Sequence, residues 1–170
     1  MLKNNRGFTI LEIIITLAIG VIVITMVGRF LLTNIYHYNR INDSTEIMDQ
    51  AQFITSFLDL ELTECAGIRS ITSVEGLNLI DSNSGDYIKH IELYTRDTSH
   101  LVNPSFQLKN GNDIFYKSHS ELGTYIDKIY VAPIPENQSF RNSNGIAYKI
   151  YFLKDKSSYS IEKSIHFRNK

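Results

Sequence analysis

One acidic side chain, Glu12, stands inside an otherwise apolar run near the start of the chain. The run, residues 8–28, reads FTILEIIITLAIGVIVITMVG and carries no other charge among its 21 residues. A carboxylate at the centre of a membrane span costs about 2.5–3.5 kcal/mol, and acids in spans usually have a partner. No basic residue follows until Arg29. The sequence therefore predicts that the partner of Glu12 comes from outside this segment.

The apolar run has the length and the flanks of a membrane span. At about 1.5 Å per residue, a helix of this length covers ~31 Å, close to the hydrocarbon thickness of a bilayer. Lys3 and Arg6 precede it without an acidic residue, which predicts a cytoplasmic N-terminus and an external remainder. The run is too long for a secretory signal peptide and lacks a small-x-small cleavage site. A plain anchor would leave Glu12 unexplained.

The residues before and within this run resemble the class III signal of type IV prepilins and type II secretion pseudopilins. The segment RGFTILE places Arg6, Gly7, Phe8 and Glu12 in the register of that signal. In this family a short basic leader ends in glycine, and a membrane-embedded prepilin peptidase cleaves the chain after it. The resemblance implies cleavage between Gly7 and Phe8, loss of the leader 1–7, and N-methylation of Phe8.

The same resemblance implies a role for Glu12, the fifth residue of the processed chain. In a stack of parallel subunits, the new amine on Phe8 meets the Glu12 carboxylate of a neighbour, because each charge is costly in lipid without the other. The implied partners are prepilin peptidase, other pilin or pseudopilin subunits, the membrane before assembly and an inner-membrane assembly platform. The implied location is the cytoplasmic membrane, crossed once, and later a pilus on the cell surface.

The other candidate chemical groups form no known catalytic or metal-binding pattern. No nucleophile elbow, phosphate loop or dinucleotide motif occurs, and the histidines lack metal-ligand spacing. These histidines are His37, His90, His100, His119 and His166. The single cysteine, Cys65, excludes an internal disulfide framework and is expected to be a small buried residue. The sequence therefore predicts a protein that is not an enzyme and has no cofactor.

Residues 81–86, DSNSGD, partly resemble a calcium-binding loop, with Glu92 eleven residues after Asp81. The glycine stands one position early, and a predicted strand begins where the loop should continue. These departures favour a polar turn over an ion site.

Charge is patterned along a chain whose formal net charge is only −1. Residues 43–64 contain six acids and no base, whereas residues 141–170 contain seven bases and two acids. The basic tail indicates solvated strand faces, an acid-to-base contact between neighbouring subunits, or phosphate contacts to DNA as in competence pili. An adhesin or DNA-binding pilin therefore stays open as an alternative to a purely structural subunit.

A long helix in two parts is expected to position these residues. No proline interrupts residues 8–66, and Gly67 is the predicted stop. Residues 8–28 form the membrane and filament-core part, and residues 29–66 form an amphipathic continuation. Its apolar stripe, at helical spacing, is Ile47, Ala51, Ile54, Leu58 and Leu62, whereas Glu46, Asp49, Asp59 and Glu61 lie off the stripe.

Residues 67–170 are expected to form a strand-rich head with its longest loops at 81–86 and 133–145. Asn110-Gly111 predicts a hairpin between 106–109 and 114–116. Alternating apolar residues predict three further strands, each with its apolar residues on one face. The three faces are Ile91 and Leu93; Ile146, Tyr148, Ile150 and Phe152; and Tyr159, Ile161, Ile165 and Phe167. A turn over 154–158 joins the last two strands.

The predicted fold class is α+β, a pilin-like long helix packed on an antiparallel sheet. Composition alone describes an ordinary soluble domain, with 43% hydrophobic and 21% charged residues in 170, and excludes collagen-like and strongly disordered chains. The order of the strands resembles the W-type minor pilins and J-type pseudopilins. A minor subunit at the initiating tip of a type IV pilus or type II-like pseudopilus is the function that this resemblance implies.

Overall fold

The computed structural model describes residues 8–95, 103–109, 111–117 and 119–168. Three residues of the prepilin-like signal, Lys3, Arg6 and Gly7, lie outside the described residues, as do His100 and Asn110. The described chain folds as one long helix followed by eight strands.

Helix α1 (Ile10–Glu64) opens the described chain. It follows Thr9, whose hydroxyl accepts a 3.3 Å hydrogen bond from the amide of Glu12 and so caps a free N–H of the first turn. Glu12 lies in this first turn, where the helix dipole favours an acidic side chain. The helix ends three residues before Gly67, the predicted stop.

The chain divides into two compact units, and α1 contributes to both. One unit ends at Asn42, and the other is Asp43–Lys170. In the second unit α1 buries Ile47, Ala51, Ile54, Leu58 and Leu62, none of them more than 6% exposed. These are the residues of the predicted stripe, so the prediction of an amphipathic helix face is confirmed.

Eight antiparallel strands form the rest of the second unit. They are β1 (Gly67–Ser73), β2 (Asp86–Tyr94), β3 (Ser105–Lys109), β4 (Asp113–Tyr116), β5 (Ser120–Gly123), β6 (Ile126–Ile134), β7 (Gly145–Lys154) and β8 (Ser157–His166). The strand order is β5-β4-β3-β2-β6-β7-β8, and β1 pairs along β2. β3 and β6 pair with different halves of β2.

One face of the sheet packs on α1 in a common core. The predicted inward set of β7 is buried, with Ile146, Tyr148, Ile150 and Phe152 each at most 2% exposed. The strand alternates its outward residues with this set because successive side chains point to opposite faces. The prediction of an α+β fold, with one long N-terminal helix on an antiparallel sheet, is confirmed.

Two hairpins occur where the sequence predicts them, but with different connections. The last pair between β3 and β4 is Lys109 with Asp113, so three residues separate the strands instead of the four between the predicted 106–109 and 114–116. One of them, Gly111, has a φ of 87°, a conformation that glycine adopts without steric cost. β7 and β8 stay paired to Lys154 and Ser157, so their turn is shorter than the predicted 154–158.

The predicted loop 133–145 begins too early. β6 continues through Pro133 to Ile134 and is paired with β7 over this part. β6 is paired with β2 only at 129–131. On one side, β6 therefore has no partner strand at Pro133. A sheet tolerates proline at such an edge, because the missing N–H does not interrupt a ladder of hydrogen bonds there.

Candidate functional site

The predicted processing site lies directly before α1. Phe8 and Thr9 precede the first helical residue, and the side chain of Phe8 is 79% exposed. The amides of Glu12 and Ile13 donate to the carbonyl of Thr9 at 3.1 and 3.2 Å, which fixes the start of the helix. The bond on the N-terminal side of Phe8 is thus outside the hydrogen-bonded helix.

The helical part of the first unit presents apolar side chains on all sides. The large apolar residues from Phe8 to Ile41 are each at least 50% exposed. The threonines bond to the backbone four residues earlier: Thr25 donates to the Val21 carbonyl at 2.7 Å and Thr33 to the Arg29 carbonyl at 2.9 Å. Such bonds satisfy a hydroxyl without water. By its length and composition, α1 is long and apolar enough to cross a membrane.

Glu12 is exposed on this apolar surface. Within the described part of the chain, its carboxylate makes no ion pair and no side-chain hydrogen bond. The nearest charged residue along the described helix is Arg29, more than four turns away. A charged partner of Glu12 from outside this helix stays a prediction.

Three tyrosines, two in strands and Tyr125 between β5 and β6, donate hydrogen bonds to carboxylates of α1. The pairs are Tyr116–Glu61 at 3.0 Å, Tyr125–Glu46 at 2.8 Å and Tyr148–Asp59 at 2.6 Å. Burial, followed by the bond to Asp59, raises the pKa of Tyr148 far above its ordinary value. Burial, followed by the bond to Glu61, also raises the pKa of Tyr116 above its ordinary value. These hydroxyls therefore stay protonated and act as permanent donors to the helix.

Lys154, at the end of β7, joins the same contact region. Its ammonium lies 2.5 Å from the Glu46 carboxylate and 3.1 Å from that of Asp43, and 5.0 Å from the ring centre of Tyr125. The hydrogen bond from Lys154, followed by that from Tyr125, lowers the pKa of Glu46. The bonds to Glu46 and Asp43 raise the pKa of Lys154. These contacts fix the first helical turns of the second unit to the sheet.

These contacts account for much of the charge asymmetry seen in the sequence. Four of the seven bases in the tail are paired with acids of the same head: Arg141 with Asp81, Lys149 with Glu162, Lys154 with Asp43 and Glu46, and Lys163 with Asp59. Lys154 and Lys163 therefore pair with acids of the same chain, whereas the Arg141–Asp81 pair is exposed, in agreement with a solvated face. The clustering of acids in residues 43–64 and of bases in residues 141–170 indicates that the two segments can attract each other. It does not specify which acid pairs with which base.

The calcium-like segment has a different organisation from an ion loop. The Asp81 carboxylate accepts two bonds from Arg141, at 2.8 and 3.3 Å, which lower the pKa of Asp81. Glu92 lies in β2 and pairs with Arg69 at 3.3 Å. No group of three or more metal-ligating side chains occurs among the described residues. Asp81 and Glu92 are thus each paired with an arginine, and an ion site at this segment is not proposed.

Cys65 follows the last turn of α1 and is 1% exposed. Burial raises the pKa of its thiol to about 11, so the group is the protonated thiol at physiological pH. The prediction of a small buried residue is confirmed. The side chains of His37, His119 and His166 are exposed at separate places on the chain.

The family comparison matches the start of the chain. Residues 2–28 match the model of the prokaryotic N-terminal methylation motif, which covers the leader and the apolar run. Neither the curated proteins nor the solved structures compared with the chain contain a significant match. The chain therefore begins with a prepilin signal of the type IV pilin kind, on a helix that could anchor it in a membrane.

Proposed function

We propose that this protein is a minor pilin or pseudopilin subunit of a type IV pilus or a type II-like pseudopilus. The methylation motif over residues 2–28 carries the proposal, because it covers the start of a helix whose large apolar side chains are exposed from Ile10 to Ile41. Prepilin peptidase removes the leader 1–7, whose charges are Lys3 and Arg6, and methylates the new amine on Phe8. Residues 8–28 then hold the subunit in the cytoplasmic membrane, with the head outside.

Assembly uses Glu12. In lipid, its carboxylate carries a cost of a few kcal/mol unless a positive group lies beside it. The processed amine on Phe8 of a neighbouring subunit is such a group, and the pairing fixes the axial register of parallel helices. The exposed Glu12 carboxylate, without a charged partner in its own described helix, supports this assignment.

The head has a structural role at the initiating tip of the filament. Residues 29–66 link the membrane part to the head 67–170, and the inner-membrane assembly platform and other subunits are the partners. The continuous α1 supports this organisation, because one element belongs both to the apolar unit and to the head. In the described residues, the head is stabilised by its core and the tyrosine–carboxylate bonds.

Mass spectrometry of the full chain tests the processing step. In cells with an active prepilin peptidase, the mature chain is expected to begin with N-methylated Phe8, and in cells without the peptidase it keeps its leader. A chain that still begins at Met1 or Leu2 in the presence of the peptidase would refute the proposal.

Glu12→Ala tests assembly separately from processing. This variant is expected to be cleaved normally but to enter sheared filaments at a strongly reduced level, because the neighbouring amine then has no partner. Glu75→Ala, which removes an exposed acid of the head, is the matched control and should assemble normally. Quantitative proteomics of the filaments gives both incorporation and copy number. Normal incorporation of Glu12→Ala contradicts the pairing, and a copy number equal to that of the main subunit contradicts the minor role.

A further inference from the structure

Strand β8 ends the sheet and has a partner strand on one side only. It pairs with β7 at ten consecutive positions without a register shift. Among the described residues, no strand lies beyond it in the strand order. In such an edge strand, every second residue directs its N–H and C=O away from the neighbouring strand. The outer side of β8 therefore carries a row of backbone donors and acceptors.

Two hydrogen bonds directly after β8 show which of its residues face outward. The amide of Phe167 donates to the carbonyl of Asn144 at 2.9 Å and so faces the β7 side. The amide of Arg168 donates to the Thr63 carbonyl of α1 at 2.9 Å and so faces the opposite side. Because the ladder has no register shift, the same alternation continues back along the strand. The residues with outward backbone groups are Ser158, Ser160, Glu162, Ser164 and His166.

These outward backbone groups are open. None of them forms a hydrogen bond with another described residue, and the side chains of all five residues are exposed. At about 3.4 Å per residue, the stretch from Ser158 to His166 covers ~27 Å. We name the outer side of this stretch the β8 edge. It ends before Arg168, whose outward N–H is already bonded to α1.

The other borders of the sheet are shorter or partly covered. β5 has four residues, and its ladder with β4 contains a register shift. The outer side of β1 is covered near its end, where the amide of Leu79 donates to the Ile71 carbonyl. Short strands, bulges, coverage and inward charges are the usual protections of a sheet edge. β8 is long and regular, and its inward charge, Lys163, is paired with Asp59.

The surroundings of the β8 edge differ between its two faces. On the α1 face, Tyr159 and Ile161 are only partly buried against the core, and Met48 of α1 is 43% exposed. Met48 lies one turn after Ser44, whose hydroxyl is 3.4 Å from that of Ser157. On the outer face, the edge carries mainly serines. A segment with apolar residues toward α1 and polar residues toward solvent, in alternation, fits this edge.

We propose that the β8 edge binds an extended segment of a different protein chain, which adds to the sheet as a further antiparallel strand. An extended backbone carries donors and acceptors at the same spacing as the edge. The main-chain hydrogen bonds supply affinity, and alternate apolar side chains beside Tyr159 and Ile161 supply selectivity. This docking surface lies on the head and goes beyond the proposed role of the chain in a filament.

A second copy of this chain fits the β8 edge less well. β8 runs in the same direction as the α1 segment of the head, because Ser157 lies beside Ser44 and Lys163 beside Asp59. Antiparallel pairing of two β8 strands would therefore make the two α1 segments antiparallel. A filament needs parallel helices, and this step alone rests on the proposed function. The edge is thus assigned to a strand from a different chain.

Binding is tested with the full chain in a mild detergent and a fluorescein-labelled peptide of residues 145–154, GIAYKIYFLK. This peptide is the probe because the same segment pairs with β8 on its other side and has alternating apolar residues. Fluorescence anisotropy against chain concentration should show saturable binding that detergent micelles alone do not give. Absence of saturable binding would overturn the inference.

Backbone N-methyl groups on the probe show which side of β8 it uses. With its apolar face toward α1, the probe donates to the β8 edge from odd-numbered residues, whereas in β7 the even-numbered residues bond to β8. N-methyl groups on Lys149 and Tyr151 should weaken binding roughly tenfold, because two hydrogen bonds are lost. The same groups on Tyr148 and Ile150 are the matched control and should leave the affinity unchanged. The reverse result would mean that the peptide displaces β7, and the inference would be wrong.

Two substitutions at one position test the edge from the side of the chain. Ser160→Pro removes an outward N–H without interrupting the β7 ladder and should weaken binding roughly tenfold. Ser160→Ala keeps that N–H and should bind as the unmodified chain does. Urea unfolding shows whether both variants are folded, and the N-methylated probes decide the question if the proline variant is not. Equal binding by the two variants would contradict the inference, as would a chain that forms dimers through Ser160.

Discussion

Replacing Tyr148 by phenylalanine removes one hydroxyl from the interface between α1 and the sheet. Tyr148 is 2% exposed, and its hydroxyl lies 2.6 Å from the Asp59 carboxylate. A hydrogen bond to a charged group contributes about 1.5–3 kcal/mol to folding. The Asp59 side chain is 33% exposed and retains Lys163, so water can partly replace the lost donor. We therefore expect the free energy of unfolding to fall by about 1.5 kcal/mol, the lower end of that range.

The assay is urea unfolding of the full chain in a mild detergent, followed by near-ultraviolet circular dichroism of the tyrosines. Tyr159→Phe is the matched control, because Tyr159 lies on the same face of the neighbouring strand and its hydroxyl makes no hydrogen bond within the described residues. The control should change the free energy of unfolding by less than about 0.5 kcal/mol. In an Asp59→Ala background, the effect of Tyr148→Phe should shrink to a similarly small value.

A loss for Tyr148→Phe that equals that of Tyr159→Phe would refute this reasoning. An undiminished loss in the Asp59→Ala background would also refute it, because the hydroxyl would then act through another contact. The slope of the free energy of unfolding against urea concentration is compared between the variants. A changed slope would indicate an altered unfolded state.

Two further predictions concern titratable groups of the head. The pKa of Glu46 lies below its ordinary value of 4.5 in the folded protein, so the contribution of this group to stability is present at neutral pH and is lost as the pH falls below about 4.5. Glu46→Gln should therefore weaken the acid dependence measured by urea unfolding at several pH values, and an unchanged dependence contradicts this. The Cys65 thiol, buried and with its pKa raised to about 11, should react with N-ethylmaleimide at pH 8 only after unfolding in urea, as measured by mass spectrometry. Rapid labelling of the folded chain would contradict its burial.

The sequence predicts those parts of the fold that depend on local periodicity. Ile47 and Ala51 lie on one helical face, and Ile146 and Ile150 on one strand face, because burial requires apolar residues at these spacings. The start of α1 is also a local matter, since Thr9 caps the amide of Glu12 within one turn. The prepilin-like signal is also local, because it is one short continuous segment of the sequence.

Contacts between distant elements were not predictable in this way. Periodicity shows that Glu46 and Asp59 lie off the apolar stripe, but their partners depend on how β6, β7 and β8 pair and where α1 crosses them. The contact between Tyr87 and Tyr130 has the same origin, because these residues become neighbours only through the register of β2 and β6. The sequence predicts a loop from Pro133, because it does not show that one edge of β6 has no partner strand at this position.

The bonds that fix α1 to the sheet connect parts of the chain that are made at very different times. Tyr148 and Asp59 are 89 residues apart, and Lys163 and Asp59 are 104 apart. The apolar stripe of α1 is synthesised first and is covered by strands that follow much later, so the head closes only when β7 and β8 have emerged. Until then, the stripe is an open hydrophobic surface. The folding of this head is thus tied to the end of its synthesis, and a chain truncated before β7 should stay unfolded and be degraded.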